Sequence, residues 1–188
     1  IATMGYMDTV AARGLKIGEK APSRKGLAGI DGKEHSAAEL AEAKAVAIIF
    51  FANHCPDCQN YTDRIIALER DYREKGVAMV LVSVSQVPED DLAHMKEWAD
   101  EKNFTGLYLM DRSQCIGRDY GATVTPQIFI LDGNGKLVYR GAIDDHWKSA
   151  KAKVPYARQA LDAILVGKAP PVSETEADGC TIVYEGQE

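Results

Sequence analysis

The sequence lacks the marks of several common protein classes. Its 188 residues contain no apolar run approaching the roughly 20 residues that a membrane-spanning helix requires. No cluster of Lys and Arg forms a stripe able to neutralise phosphates, and the formal net charge is −6, so nucleic acid is not an expected partner. Cysteine is scarce. The four present, at positions 55, 58, 115 and 180, are too few and too unevenly spread for a disulfide scaffold in a chain this long, which points to chemistry rather than to staples. There is no internal repeat and no low-complexity tract. What is present, 46% hydrophobic and 27% charged residues, is the balance of a folded domain, and the length suffices for one domain with a sizeable core and decorated ends. Because the sequence starts at Ile1 rather than at methionine, we expect a removed secretory leader, and with it an extracytoplasmic site (periplasmic or secreted), a cytoplasmic one being the alternative. A monomer or weak dimer is expected.

Along the chain, residues 1–17 show no firm period and read as a lead-in. Asp31-Gly32 signals a short hairpin, and Ser36 with Glu39 makes a capping box ahead of a short helix. Ala45 to Phe51, "AVAIIFF", is continuously apolar, as expected of a central strand covered on both faces. After Cys55, the residues Tyr61, Ile65, Leu68 and Tyr72 follow helical spacing, the helix ending near Lys75-Gly76, with Pro56 where a first turn tolerates it. Val77 to Ser85 predicts a second buried strand. Pro88 to Lys102 predicts a helix with Leu92, Met95 and Trp98 on one face and the acids Glu89, Asp90 and Asp91 complementing its N-terminus. A strand at 107–110, a helix near 112–120, a hairpin of 127–131 with 136–141 around "DGNG", and a helix over 155–166 follow. Residues 167–188 read as an extended tail packing on the domain, where "CTIVY" has the apolar character to add a strand.

Two cysteines two residues apart, directly after a buried strand and at the start of a helix, are the main chemical signal. A cysteine at a helix N-terminus faces unsatisfied N–H groups and the positive end of the dipole, which favours its thiolate. Cys55 stands there as nucleophile, and Cys58, one turn later and more buried, as the thiol that resolves a mixed disulfide. Asp57 between them opposes ionisation, which predicts a reducing to intermediate couple. His54 is either a donor or proton carrier for the thiolate or an exposed histidine without a role.

This C-x-x-C, written "FFANHCPDC", resembles the signature of the thioredoxin superfamily. "GATVTPQIFILDGNGKLVYRGAID" resembles the surroundings of that family's cis-proline, pointing to Thr125 and Pro126. The resemblance implies an α/β thioredoxin-like fold: a central mixed β-sheet flanked by helices on both faces, with a strand-helix inserted over Val77 to Phe104 and a C-terminal extended tail. The insertion is similar to the redoxin branch, which includes alkyl hydroperoxide reductase and thiol-specific antioxidant relatives. The domain then runs over 18–166. The resemblance further implies a thiol-disulfide oxidoreductase without a cofactor, reducing a disulfide-containing protein substrate and recharged by an upstream thiol reductant. Catalysis falls to Cys55 and Cys58, the substrate groove to Thr125 and Pro126, with His54, Pro56 and Asp57 in support.

Departures from the family patterns narrow this. Where a peroxiredoxin carries the proline and threonine of its Pro-x-x-x-Thr-x-x-Cys motif, this chain has Ile48 and Ala52, which counts against the alternative of a peroxiredoxin-like peroxidase. Thioredoxin's buried aspartate is matched by Ile49, and its tryptophan before the first cysteine by His54. Zinc would need a second close pair of ligands, which Cys115 and Cys180 do not form. Copper binding without turnover, with His94 or His146 as a distant ligand, is the alternative from another class. No metal is expected. Cys115 reads as core packing. Cys180 is open to a disulfide with Cys115, to packing, or to a role as third redox cysteine serving Cys55. Asp144-Asp145-His146 reads as a solvated turn.

Overall fold

The computed structural model describes residues 14–23 and 26–186. Most of the expected lead-in therefore lies outside the described residues. The strands are β1 (Leu27–Gly29), β2 (Glu34–His35), β3 (Ala45–Phe50), β4 (Val77–Ser83), β5 (Leu107–Met110), β6 (Val124–Thr125), β7 (Gln127–Asp132), β8 (Leu137–Gly141) and β9 (Cys180–Thr181). The helices are α1 (Pro56–Arg73), α2 (Leu92–Lys102), α3 (Cys115–Tyr120) and α4 (Tyr156–Leu165). Seven strands form one mixed sheet in the order β2-β1-β5-β4-β3-β7-β8. Strand β3 lies near its centre, parallel to β4 and antiparallel to β7.

The continuous apolar run of β3 is explained by this position. Alternate residues feed two cores: Ala45, Ala47, Ile49 and Phe51 pack with α1, α2 and α4, while Val46, Ile48 and Phe50 pack with Tyr120 and Leu15 on the other face. The helical spacing predicted for α1 is what buries it, since Tyr61, Ile65, Leu68 and Tyr72 all face the first core. Arg70 and Arg73 occupy its last turn, where cations complement the dipole. Gly76 then takes φ 87° to turn the chain into β4.

The structure corrects several expected boundaries. The helix expected from Pro88 starts at Leu92, because Pro88–Asp90 forms a 3₁₀ turn and Asp91 caps the helix by accepting from the His94 N–H at 2.9 Å. The Ser36 capping box is present, with Glu39 accepting from the Ser36 N–H at 2.7 Å, yet it opens only a single 3₁₀ turn, Ala37–Leu40. Helix α3 begins at Cys115, after Gln114 in the left-handed region. "CTIVY" contributes a strand of two residues, β9, paired with β6 in a sheet of its own. No helix among the described residues is long and apolar enough to cross a membrane.

Candidate active site

Strand β3 delivers the chain to residues 51–55 at the edge of the first core, and the site grows from there. Cys55 is the N-cap of α1: its sulfur accepts from the Cys58 N–H at 3.4 Å, with Pro56 in the first turn. That placement favours negative charge on the sulfur when it is reduced. The Cys55 sulfur also lies 3.3 Å from the carbonyl oxygen of Thr125. Thr125 and Pro126 are joined by a cis peptide bond, so the two segments singled out in the sequence do meet. Beneath them Phe51 packs against Trp98 and Tyr108, and the Tyr108 hydroxyl donates to Asn53 Oδ1 at 2.8 Å, fixing the loop that carries the cysteines.

The disulfide is the main departure from expectation. Cys55 is bonded to Cys180, 125 residues away, with the Cα atoms 6.2 Å apart, while Cys58 and Cys115 are free. Of the roles left open for Cys180, a bond to Cys115 is excluded in this structure. Cys58 is wholly buried, and burial pushes its thiol up to about 12, with Asp90 and Asp57 adding to the rise. Cys55 is wholly buried as well, so the expected contrast in accessibility between the pair is absent. Cys115 is half-buried rather than a core residue; it opens α3 with its N–H donating to Ser113 Oγ at 3.2 Å.

Cys180 reaches Cys55 because β9 lies antiparallel on β6, Cys180 opposite Thr125 and Thr181 opposite Val124. The Ile182 N–H donates to the Thr123 carbonyl at 2.9 Å, and the Tyr184 hydroxyl to the Ala122 carbonyl at 2.7 Å. Gln114 holds the strand from the side, donating to the Val183 carbonyl at 2.9 Å and accepting from the Glu185 N–H at 2.8 Å. Asp57, expected beside the Cys55 thiolate, places Oδ2 3.5 Å from the Cys180 sulfur. Among the described residues, Cys55, Asp57 and Cys180 are the one group close enough to hold a metal ion together, but two of the three sulfur and oxygen donors are tied up in the disulfide; His94 and His146 stand outside the group.

Two acids, Asp90 read as a helix N-terminal charge and Asp144 read as part of a solvated turn, are buried and structural. Asp90 is wholly buried, accepting from the His54 backbone N–H at 3.1 Å and pairing with His54 Nδ1. His54 is thereby held beside Cys55 with its ring 43% exposed. Nothing in "PEDD" separates Asp90 from its neighbours; the 3₁₀ turn set by Pro88 rotates it inward. Asp144 is also buried, bonded to Arg64 Nη1 at 2.7 Å and accepting from the Tyr61 hydroxyl at 3.1 Å. Of that run only Asp145 is exposed, accepting from the Lys153 and Val154 N–H groups, while His146 is half-buried.

A strand, a cysteine-capped helix and an opposed cis-proline define the thioredoxin-like class. Residues 16–161 match the Redoxin family, and the chain belongs to it. It is similar to the thiol-disulfide oxidoreductase ResA of Bacillus thuringiensis (strain Al Hakam), 27% identical over 124 residues that make up 66% of this chain and 68% of that protein. Among solved structures it is similar to an uncharacterized conserved protein from Geobacillus kaustophilus, 31% identical, with a TM-score of 0.85 over 94% of this chain and 96% of that one. The thioredoxin domain of a thiol-disulfide oxidoreductase from Bacteroides vulgatus shares the fold, with a TM-score of 0.56 at 22% identity over 67% of this chain and 88% of that one.

Proposed function

We propose that this protein is a thiol-disulfide oxidoreductase that reduces disulfides in protein partners and is recharged by an upstream thiol reductant. One observation carries the reading: Cys55 sits at the start of α1, opposite cis-Pro126, disulfide-bonded to a cysteine on a strand paired with Thr125. A groove that holds a cysteine-bearing strand in this way suits attack on a disulfide presented by a partner strand. The similarity to ResA, named a thiol-disulfide oxidoreductase, supports the same reading.

In this reading the Cys55 thiolate attacks one sulfur of the partner disulfide, forming a mixed disulfide and releasing the first partner thiolate. Cys58 then gives up its proton and attacks the Cys55 sulfur, which releases the second partner thiolate and leaves a Cys55–Cys58 disulfide. Thr125 and Pro126 shape the groove, Pro56 starts the helix, Asp57 tempers the stability of the thiolate, and His54, oriented by Asp90, carries protons between the site and solvent. A disulfide in the resting protein fits an extracytoplasmic location, where such bonds persist. Insulin reduction with dithiothreitol as electron donor tests the assignment. Cys55→Ser abolishes the catalysed rate, and Cys58→Ser/Cys180→Ser, in which neither neighbouring thiol is left to resolve it, accumulates a mixed disulfide at Cys55; full activity in both variants would refute it. Rapid oxidation of Cys55 to sulfenic acid by micromolar peroxide would instead favour the peroxidase alternative.

A further inference from the structure

The tail is placed with more care than a strap needs. Upstream of Cys180, Ser173 and Thr175 bond to both backbone groups of Arg140 on β8, at 3.0 and 3.1 Å. Downstream, Ile182, Val183, Tyr184 and Glu185 are each tied to the domain through the bonds to Thr123, Ala122 and Gln114. Between these anchors Gly179 passes so close to the Thr125 carbonyl that no Cβ would fit, which lets the next residue lie opposite Thr125. Cys180 thus stands where a partner's cysteine would stand. With the tail in place Cys55 and Cys58 are wholly buried, and Cys180 alone of the three is partly exposed. It borders a cleft of about 340 Å³ whose walls include Ala52, His54, Val87, Ile182 and Val183.

We propose that the tail is a tethered substrate of the Cys55–Cys58 pair, and that Cys180 is a third redox cysteine that exchanges directly with partner disulfides. This deepens the oxidoreductase reading above and rests on it. In the fully reduced protein the Cys180 thiolate attacks the partner disulfide through the cleft, forming a Cys180–partner bond and releasing the first partner thiolate. The Cys55 thiolate then attacks the Cys180 sulfur, forming the Cys55–Cys180 bond seen here and releasing the second partner thiolate. Cys58, having lost its proton, attacks the Cys55 sulfur; the Cys55–Cys58 bond forms and Cys180 leaves as thiolate and takes up a proton. The partner disulfide has gained two electrons and two protons, the protein has lost them, and the upstream thiol reductant restores the Cys55–Cys58 pair. The wholly buried Cys58 thiol holds its proton tightly, which slows its attack and lets the Cys55–Cys180 bond accumulate ahead of Cys55–Cys58.

The test is a time course with oxidised glutathione as the probe. Reduced wild-type protein is oxidised, quenched in acid at intervals, alkylated and peptide-mapped. Cys55–Cys180 appears first and then gives way in part to Cys55–Cys58 with Cys180 freed. In Cys58→Ser the oxidised protein stays as Cys55–Cys180. In Cys180→Ser, Cys55–Cys58 still forms, at a rate at least tenfold below wild type. The relay is overturned if wild-type Cys55–Cys180 never converts although Cys58 is present, which marks it as a staple, or if Cys180→Ser oxidises as fast as wild type. Absence of a Cys55–Cys58 disulfide in both the wild type and Cys180→Ser overturns the underlying oxidoreductase reading, and the relay with it.

Discussion

Gly179→Ala isolates how the tail is seated. A methyl group at this position would overlap the Thr125 carbonyl, which is backbone and cannot swing aside, so either β9 or β6 must shift. Overpacking of this kind costs about 1–3 kcal/mol. The anchors at Ser173 to Thr175 and at Ile182 to Glu185 are several residues away and keep the tail on the domain, so the cost falls on the approach of Cys180 to Cys55. At about 1.4 kcal/mol per factor of ten, the effective concentration of the Cys180 thiol at Cys55 falls by about 5- to 140-fold. The assay is equilibration with reduced and oxidised glutathione in a Cys58→Ser background, where Cys55–Cys180 is the disulfide formed within the site, followed by quantification of that bond by mass. A shift of less than about twofold would refute the reasoning, because it would mean that the close pass of Gly179 over Thr125 does not position the cysteine.

Three further outcomes are expected. Arg64→Met leaves the buried Asp144 carboxylate without its cation and destabilises the fold by about 3 kcal/mol, which at about 2–4 °C per kcal/mol lowers the melting temperature by about 6–12 °C; restoration in Arg64→Met/Asp144→Asn confirms the cause, and a drop under about 2 °C contradicts it. His54→Ala leaves the wholly buried Asp90 with a backbone donor alone from that residue and costs about 1–3 kcal/mol in urea denaturation; an unchanged midpoint contradicts the pairing. His35 bonds to Asp31 and Glu39, and these two carboxylates, Asp31 more than Glu39, raise its pKa above the usual value. A raised folded pKa stabilises the protonated form, so this contribution is complete below about pH 6.5 and is lost as pH rises through the higher folded value; His35→Gln flattens that part of the stability profile, and an unchanged profile contradicts the assignment.

The parts of the fold that were legible are those where one residue pattern answers to one environment. The unbroken apolar run at β3 implies cover on both faces, and the spacing of Tyr61, Ile65, Leu68 and Tyr72 implies a helix with one buried side. Thr125-Pro126 and Cys55-x-x-Cys58 were legible as a pair because the family resemblance joins two segments that spacing alone does not connect. Asp90 and Asp144 were not, since an acid in a polar run looks the same whether its turn faces water or the core; the 3₁₀ turn after Val87 and the reach of Arg64 from α1 decide it. The Cys55–Cys180 bond lay further out of reach. It depends on a two-residue strand and on Gly179 passing over Thr125, and neither has a periodicity to read.

The central claim is that Cys55 belongs to a reversible thiol-disulfide couple. Its most direct test is equilibration of the protein in graded glutathione or dithiothreitol buffers, with free thiols counted by mass and the disulfide partners mapped. A reversible loss of two thiols, one of them always Cys55, with a midpoint below about −200 mV, is the predicted result for a reductant whose thiolate is tempered by Asp57. A midpoint above about −150 mV, or no reversible couple that includes Cys55, would contradict it.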